Sequence, residues 1–511
     1  MNPPAGNSTP DWLRQRAQST PERVALISAD GSLTFRELDQ AVDEMTSELA
    51  VMGVKAGGVV AVLSWNSAPF VAVVHAAARL GAVLLPLNAR LSADELGWQI
   101  KDAGAAFLLH DEANTMVAEG LAAVAGRPLK LLGLGSPFEG LRMSGVRAVS
   151  DSSMTARRQR TERRFDLSEV QTILYTSGTT GRAKGAMLTY GNHLWSAVGS
   201  ALNLGVQTDD RWLACLPLFH AGGLSILHRS VIYGIGCVLH ESFEPARVNK
   251  AIDEDGVTIV SVVALMLEQM LDERGENPYP ASLRCVLLGG GPAPRPLLER
   301  CAALGVPVVQ TYGLTETASQ ATTLAPEEAL SKLGSAGKPL FGTEVRVLRD
   351  DGAEAGPEEP GEIVVRGPAV TVGYLGQPKA TSRALRGGWL HTGDIGYLDA
   401  EGYLYVLDRR DDLIISGGEN VYPAEVEAAL QSHPAVAEAG VIGVADERWG
   451  QAPLAVVVAR KGVVVSDEEL LSFCRERLAG YKTPKRIVLA EALARTAAGK
   501  LMRGELRQRY G

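Results

Sequence analysis

The sequence predicts an α/β protein with a large multi-layer N-terminal domain of parallel sheets, a small β-barrel-like subdomain, and a small mobile α+β C-terminal domain. Three observations carry this prediction. Short β-branched runs recur between residues 59 and 312, spaced by stretches long enough for helices, which is the pattern of buried parallel strands joined by helical crossovers. Beyond about residue 340 the runs (TEVRVL, GEIVVRG, GYLYVLDRR) are punctuated by Gly, Pro and Asp, as in a small β-rich subdomain. The last hundred residues alternate helix and strand once more. A length of 511 residues allows about three or four compact units, with room for a cleft between them. Fifty basic against 59 acidic residues leave a net charge of −9, with 46% hydrophobic residues. This balance excludes a disordered tail, a collagen-like repeat and a basic wrapper of nucleic acid.

Taken in order, Thr34 with Glu37 forms a capping box, and Phe35, Leu38, Val42, Met45 and Leu49 recur at helical spacing before Gly53. A helix over about 35–52 follows. The most apolar stretch starts at Pro69 and is interrupted by His75, Arg79 and Gly81. It falls short of the roughly 18 apolar residues of a membrane span and reads as a buried helix running into a strand. Strands are expected at VVAVLS, AVLLPL, AAFLLH, TILYT, GCVLH, TIVSVV, RCVLLGG and VPVVQTY. Residues 150–166 read as an exposed linker whose basic side chains are solvated. Near the C-terminus, Pro423 starts a helix that stops before Pro434, two strands follow, and a helix capped by Ser466 with Glu469 extends to Gly480.

The segment YTSGTTGRAKGAM (175–187) directly follows a strand and packs Thr176, Ser177, Thr179 and Thr180 among Gly178, Gly181 and Gly185, with Lys184 close by. Glycines allow backbone N–H groups to turn inward, hydroxyls add donors and the lysine adds charge, which together suit a polyphosphate. The spacing is not that of a Walker loop, since Ala183 occupies the second glycine position. The five cysteines carry no CxxC pair and no partnering His, so they read as reduced core thiols, and the N-terminus lacks the pattern of a secretory signal. Both features point to the cytoplasm.

With QTYGLTE (310–316), WLHTGD (389–394), YVLDRRDDLIISGGENVYPAEVE (405–427) and RTAAGK (495–500) in the same order, the chain resembles the adenylate-forming superfamily over nearly its whole length. The resemblance implies ATP, Mg²⁺ and coenzyme A as ligands, and a domain boundary between 1–409 and 410–511 with a hinge near Asp411. It further implies that residues 176–181 and Lys184 hold phosphates. Tyr312, with Gly313 and Thr315 of the same motif, would face adenine across from Gly290, Gly291 and Pro292. Glu316 would hold Mg²⁺, and Asp394 and Arg409 the ribose. Lys500 would reach the reacting carboxylate and α-phosphate, and Gly417 and Gly418 would admit the pantetheine arm. Ala494 departs from the proline common before Arg495, which would loosen the Lys500 loop.

The runs 195–205, 209–234, 256–263, 287–294 and 332–340 are similar to the o-succinylbenzoate:CoA ligases of menaquinone biosynthesis. That resemblance implies an acid pocket with His220, Arg229 and Ser261, Arg229 serving the aromatic carboxylate; the alternative for Arg229 is an ordinary helix ion pair. His228 and His240 read as structural. The runner-up is a ligase for a medium-chain fatty or aryl acid. A carrier-protein acceptor, luciferase-type oxidation and a non-catalytic nucleotide sensor are the remaining alternatives. The implied partners are a small carboxylic acid, ATP and CoA, with no nucleic acid and no membrane insertion; a homo-oligomer is compatible with the sequence.

Overall fold

The computed structural model describes the chain except residues 1–6, 125–127, 136–162, 177–182, 292, 329–330, 410–411, 413, 417–418, 447–448, 479, 481 and 496–500. Most of the expected 150–166 linker therefore lies outside the described residues. Arg163, at its end, pairs with Glu169 and donates to the Leu80 carbonyl.

Two large sheets form the body. One runs in spatial order Lys184–Thr189, Val170–Thr176, Val83–Pro86, Val59–Leu63, Phe107–His110 and Lys130–Gly133, with only the first pair antiparallel. The other is nine-stranded, and its parallel centre runs Val308–Tyr312, Cys285–Leu288, Ile259–Val262, Arg211–Ala214, Gly236–Leu239 and Val24–Ser28. Every strand expected from a β-branched run in the sequence is present.

Helices between these sheets fuse them through one core that includes Phe35, Phe70, Val74, Leu227, Trp212 and Leu109. The helix Phe35–Met52 starts as predicted: the Glu37 N–H donates to Thr34 Oγ1 (3.3 Å), the Thr34 N–H donates to Glu37 Oε2 (2.8 Å), and Gly53 closes the helix at φ 97°. The apolar stretch becomes the helix Ala68–Leu80, buried continuously from Ala68 to Ala78. Gly81 ends it in the left-handed region, where a Cβ would stand 1.2 Å from the Arg163 guanidinium.

Beyond residue 340, Glu344–Leu348, Gly361–Arg366, Trp389–Leu398 and Leu404–Arg409 pair antiparallel, giving the barrel-like subdomain. The C-terminal segment folds around a core of its own, in which Ile414, Val426, Val441, Val457, Leu470 and Ile487 pack under the strands Val436–Asp446 and Gly450–Ala459. Its first helix, Pro423–Gln431, ends where expected. The helix Asp467–Arg475 stops short of Gly480; just beyond it the Arg477 and Leu478 N–H groups both bond to the Cys474 carbonyl.

All five cysteines are unpaired and buried, and burial raises their thiol pKa values, to about 12 for Cys215, Cys237, Cys285 and Cys301. No described helix is long and apolar enough to cross a membrane.

His228, read as structural, lies in the central core with His193 at 4.5 Å and His75 at 6.4 Å between ring centroids. Burial lowers the pKa of His75 to about 4, that of His193 to about 3, and that of His228 well below its ordinary value. A depressed folded-state pKa means that the unfolded chain takes up protons near pH 6.5 while the folded chain resists. Stability is then lost progressively as pH falls from 6.5 towards the folded values. Each buried imidazole should cost about 2 kcal/mol at pH 5. Urea midpoints measured at pH 7 and pH 5 should show this loss, and His75→Gln should remove about a third of it.

Candidate active site

The segment expected to hold phosphates joins the two strands of a hairpin. Val170–Thr176 and Lys184–Thr189 pair antiparallel with Thr176 opposite Lys184, so the chain must reverse through the hydroxyl- and glycine-rich residues between them. Ser177, Gly178, Thr179, Thr180 and Gly181 lie outside the described residues; the two that flank the turn, Thr176 and Lys184, face each other across its base. Lys184 Nζ stands 5.3 Å from the centroid of the Tyr374 ring. Tyr374 arrives because residues 373–375 bond back to the hairpin, with Met187 N–H donating to the Gly373 carbonyl and Leu375 N–H to that of Gly185.

The Tyr374 hydroxyl donates to Glu316 Oε1 at 2.8 Å, and the Thr371 N–H donates to the Glu316 carbonyl at 2.7 Å. Glu316 sits in the one-turn 3-10 helix Thr315–Thr317, which follows directly from the strand ending at Tyr312. Two non-glycine residues after it lie in the left-handed region, Ala318 at φ 50° and Ser319 at φ 98°. Such conformations cost of order 1 kcal/mol or more each and persist where surroundings over-determine them.

Here the surroundings are tight. A Cβ on Gly313 would stand 2.0 Å from the Ser319 carbonyl oxygen and 2.7 Å from Gln320 Cα, both backbone atoms. Gly313→Ala should therefore displace the turn that carries Tyr312 and Glu316. It should lower acid-dependent exchange of pyrophosphate with ATP about 100-fold, since a shift of about 1 Å in a reacting group has that effect.

Tyr312 and Asp394, expected on adenine and ribose respectively, meet directly: the phenol donates to Asp394 Oδ2 at 2.7 Å. This contact fixes the ring's orientation. Asp394 is buried on the strand Trp389–Leu398 and stands opposite Arg409 in the ladder, so both ribose candidates share one rung. Gly290 adopts φ 85° with Gly291 beside it, whereas Pro292 lies outside the described residues.

Lys500, Gly417, Gly418 and the proposed hinge Asp411 also lie outside the described residues. The loop that carries Lys500 is closed at its base. The Met502 N–H donates to the Ala494 carbonyl at 2.9 Å, Arg495 bridges Leu501, and Arg495 Nε donates to Glu438 at 2.8 Å. The carbonyl that receives this bond does not depend on having proline at 494.

A second cluster forms around the helix Ala221–Tyr233. His220 occupies its N-cap position, its ring edge-on to Phe219 at 4.9 Å, and Arg229 lies about 13 Å further along the axis. Arg229 is only 2% exposed. Its Nη2 donates to Ser196 Oγ at 3.1 Å, and its guanidinium stands 5.5 Å from the centroid of Trp212, whose Nε1 donates to Ser261 Oγ at 2.9 Å. Among the described residues Arg229 Nε has no partner, and burial lowers the guanidinium pKa.

Arg79, also buried, shows how this fold neutralises a structural arginine: Asp11, Asp39 and Asp43 all contact it at 2.7–2.8 Å. Among the described residues no carboxylate pairs with Arg229, so the helix ion pair considered from sequence is not formed. A buried cation without an anion is costly, and an anionic ligand is the simplest compensation.

Sequence reasoning did not single out Ser196, Trp212, Thr371 or Tyr374. The first two sit within the acid-pocket runs but in no recognisable spacing; the last two reach Glu316 only through long-range strand pairing.

The sequence pattern described as "AMP-binding enzyme" matches residues 13–375, and that of the "AMP-binding enzyme C-terminal domain" matches residues 425–500. The chain is 53% identical over 499 residues to the 2-succinylbenzoate–CoA ligase of Geobacillus kaustophilus (strain HTA426), covering 98% of this chain and 97% of the relative. Among solved structures it is similar to o-succinylbenzoate CoA synthetase from Bacillus subtilis in complex with the acyl-adenylate intermediate, at TM-score 0.88 and 47% identity, covering 98% of each chain. The same Bacillus subtilis enzyme in complex with ATP and magnesium ion aligns at TM-score 0.87 and 47% identity, covering 98% of this chain and all of that one. The chain belongs to the AMP-binding enzyme family, in the branch of the 2-succinylbenzoate–CoA ligases.

Proposed function

We propose that this protein joins 2-succinylbenzoate to coenzyme A at the expense of ATP in menaquinone biosynthesis, releasing AMP and pyrophosphate. The observation that carries the choice of acid is Arg229, a buried guanidinium with no carboxylate partner among the described residues. A dicarboxylate supplies the missing anion while its second carboxylate reacts, and planar guanidinium geometry suits it. A monocarboxylic fatty acid would leave the cation unpaired.

In the first half-reaction an oxygen of the succinyl carboxylate attacks the α-phosphorus of ATP, and the bond to pyrophosphate breaks. Two anions must approach, so the residues present should offset that repulsion. Thr176 and Lys184 flank the phosphate turn, and Lys500 would meet the carboxylate and α-phosphate. Glu316 is suited to Mg²⁺: a half-buried carboxylate, steadied by Tyr374, can contribute one oxygen while substrate phosphates and water supply the rest. The magnesium ion, when bound, supplies charge neutralisation on the phosphates. Tyr312 and Asp394 hold the nucleoside through stacking and a ribose contact.

In the second half-reaction the thiol of coenzyme A loses its proton as sulfur bonds to the acyl carbon, and AMP departs with the carboxylate oxygen. His220 lines the route between acid and thiol. The separate core of the C-terminal segment supports a unit 410–511 that turns about Asp411 relative to 1–409, exchanging the Lys500 loop for Gly417 and Gly418. Five unpaired thiols support a reducing compartment, the cytoplasm.

Exchange of labelled pyrophosphate into ATP tests the first half-reaction. It should require 2-succinylbenzoate and Mg²⁺ but not coenzyme A; exchange independent of any acid would sink the assignment.

A further inference from the structure

The hydroxyl of Ser196 has two partners that belong to different parts of the site. It accepts from Arg229 Nη2 at 3.1 Å and donates to the Ala318 carbonyl at 2.7 Å. Its single proton is thus committed to Ala318, and its lone pairs face the guanidinium. Ala318 follows directly on the turn Thr315–Thr317 and holds φ 50°, a conformation that needs outside support.

The helix carrying Ser196, Tyr190–Leu204, grips the Glu316 turn from a second side. Its capping residue Asn192 donates through Nδ2 to the carbonyls of Pro368 and Val370, both at 2.8 Å. The next residue, Thr371, donates to the Glu316 carbonyl. One helix therefore bonds directly to the residue after the Glu316 turn through Ser196, and through Asn192 to the segment whose Thr371 holds the Glu316 carbonyl; Ser196 also carries its hydrogen bond to the buried cation.

We propose that Ser196 is a positioning residue that couples occupation of Arg229 by the acid's aromatic carboxylate to the turn carrying Glu316. The proposal rests on the reading of Arg229 and Glu316 given above. A carboxylate drawn to Arg229 re-aims the guanidinium, and the Ser196 hydroxyl passes that change to the Ala318 carbonyl. Acid and Mg²⁺-nucleotide then favour the same arrangement of the turn and strengthen each other's binding, reciprocally. Neither Ser196 nor Ala318 touches a reacting atom.

The test is the ratio of dissociation constants for a magnesium complex of a non-hydrolysable ATP analogue, measured calorimetrically without and with saturating 2-succinylbenzoate. The full-length protein should give a ratio of about 5 or more. In Ser196→Ala the ratio should fall to within about two-fold of 1, with both ligands still binding singly, because one coupling contact is lost while both sites persist. A purely structural role would shift both affinities and the melting temperature but leave the ratio in place.

Ser196→Cys keeps the size with weaker hydrogen bonds and should give an intermediate ratio; if Ser196→Ala does not fold, this variant decides. An unchanged ratio in a folded variant, or a wild-type ratio near 1 with both ligands bound, overturns the proposal. A wild-type protein that binds no 2-succinylbenzoate overturns instead the choice of acid on which the proposal rests.

Discussion

Lys500→Ala should lower the rate of pyrophosphate release by about 10³-fold, the upper range for removing one charged group that meets developing transition-state charge. Conversion of preformed 2-succinylbenzoyl adenylate to the thioester should stay within about three-fold of wild type if, as proposed, the C-terminal unit turns Lys500 away before the thiol attacks. The two half-reactions are separable by single-turnover measurement starting from ATP or from the adenylate. Equal loss in both halves would show that Lys500 serves one undivided site and that the C-terminal unit does not turn between steps.

Arg229→Ala should lower kcat/KM for 2-succinylbenzoate about 10²- to 10³-fold, the usual effect of truncating one partner of a buried, hydrogen-bonded charge pair. The KM for ATP should hardly move. 4-Oxo-4-phenylbutanoate, which lacks only the ring carboxylate, should be a poor substrate for wild type and no poorer for the variant. In the absence of ligand, Arg229→Met should melt no lower than wild type, because it replaces an uncompensated buried charge with an apolar chain of similar length. A large fall in melting temperature with unchanged acid preference would make Arg229 an ordinary core residue.

The body of the fold was legible because its central parallel strands are buried on both faces and so appear as short continuous apolar runs, as at VVAVLS and RCVLLGG. Helix ends were legible where side chains cap them, as at Thr34 and Ser466. The end of the helix Asp467–Arg475 was not, since it falls before Gly480 at Glu476, a residue type that signals no helix end.

Among the candidate site residues, Thr176 and Lys184, Tyr312 and Glu316, and Asp394 stand in dense local motifs of the sequence. What connects them could not be read there. Tyr374 reaches Glu316 only because residues 373–375 lie along the hairpin, some 190 positions earlier in the chain. The direct bond between Tyr312 and Asp394 joins two sheets, and nothing in either motif records it. The sequence offered both an ion pair and a substrate contact for Arg229; among the described residues Ser196 and Trp212, rather than an acid, stand beside it.

The most direct measurement incubates the protein with ATP, Mg²⁺ and coenzyme A, together with 2-succinylbenzoate, 4-oxo-4-phenylbutanoate or a medium-chain fatty acid in turn, and follows the acyl-CoA by mass. 2-Succinylbenzoyl-CoA should form with a kcat/KM at least about 10² above either monocarboxylate, as an unpaired buried arginine requires. Equal or better turnover of a monocarboxylate would contradict the assignment of Arg229 to the substrate and leave only a ligase of the wider family.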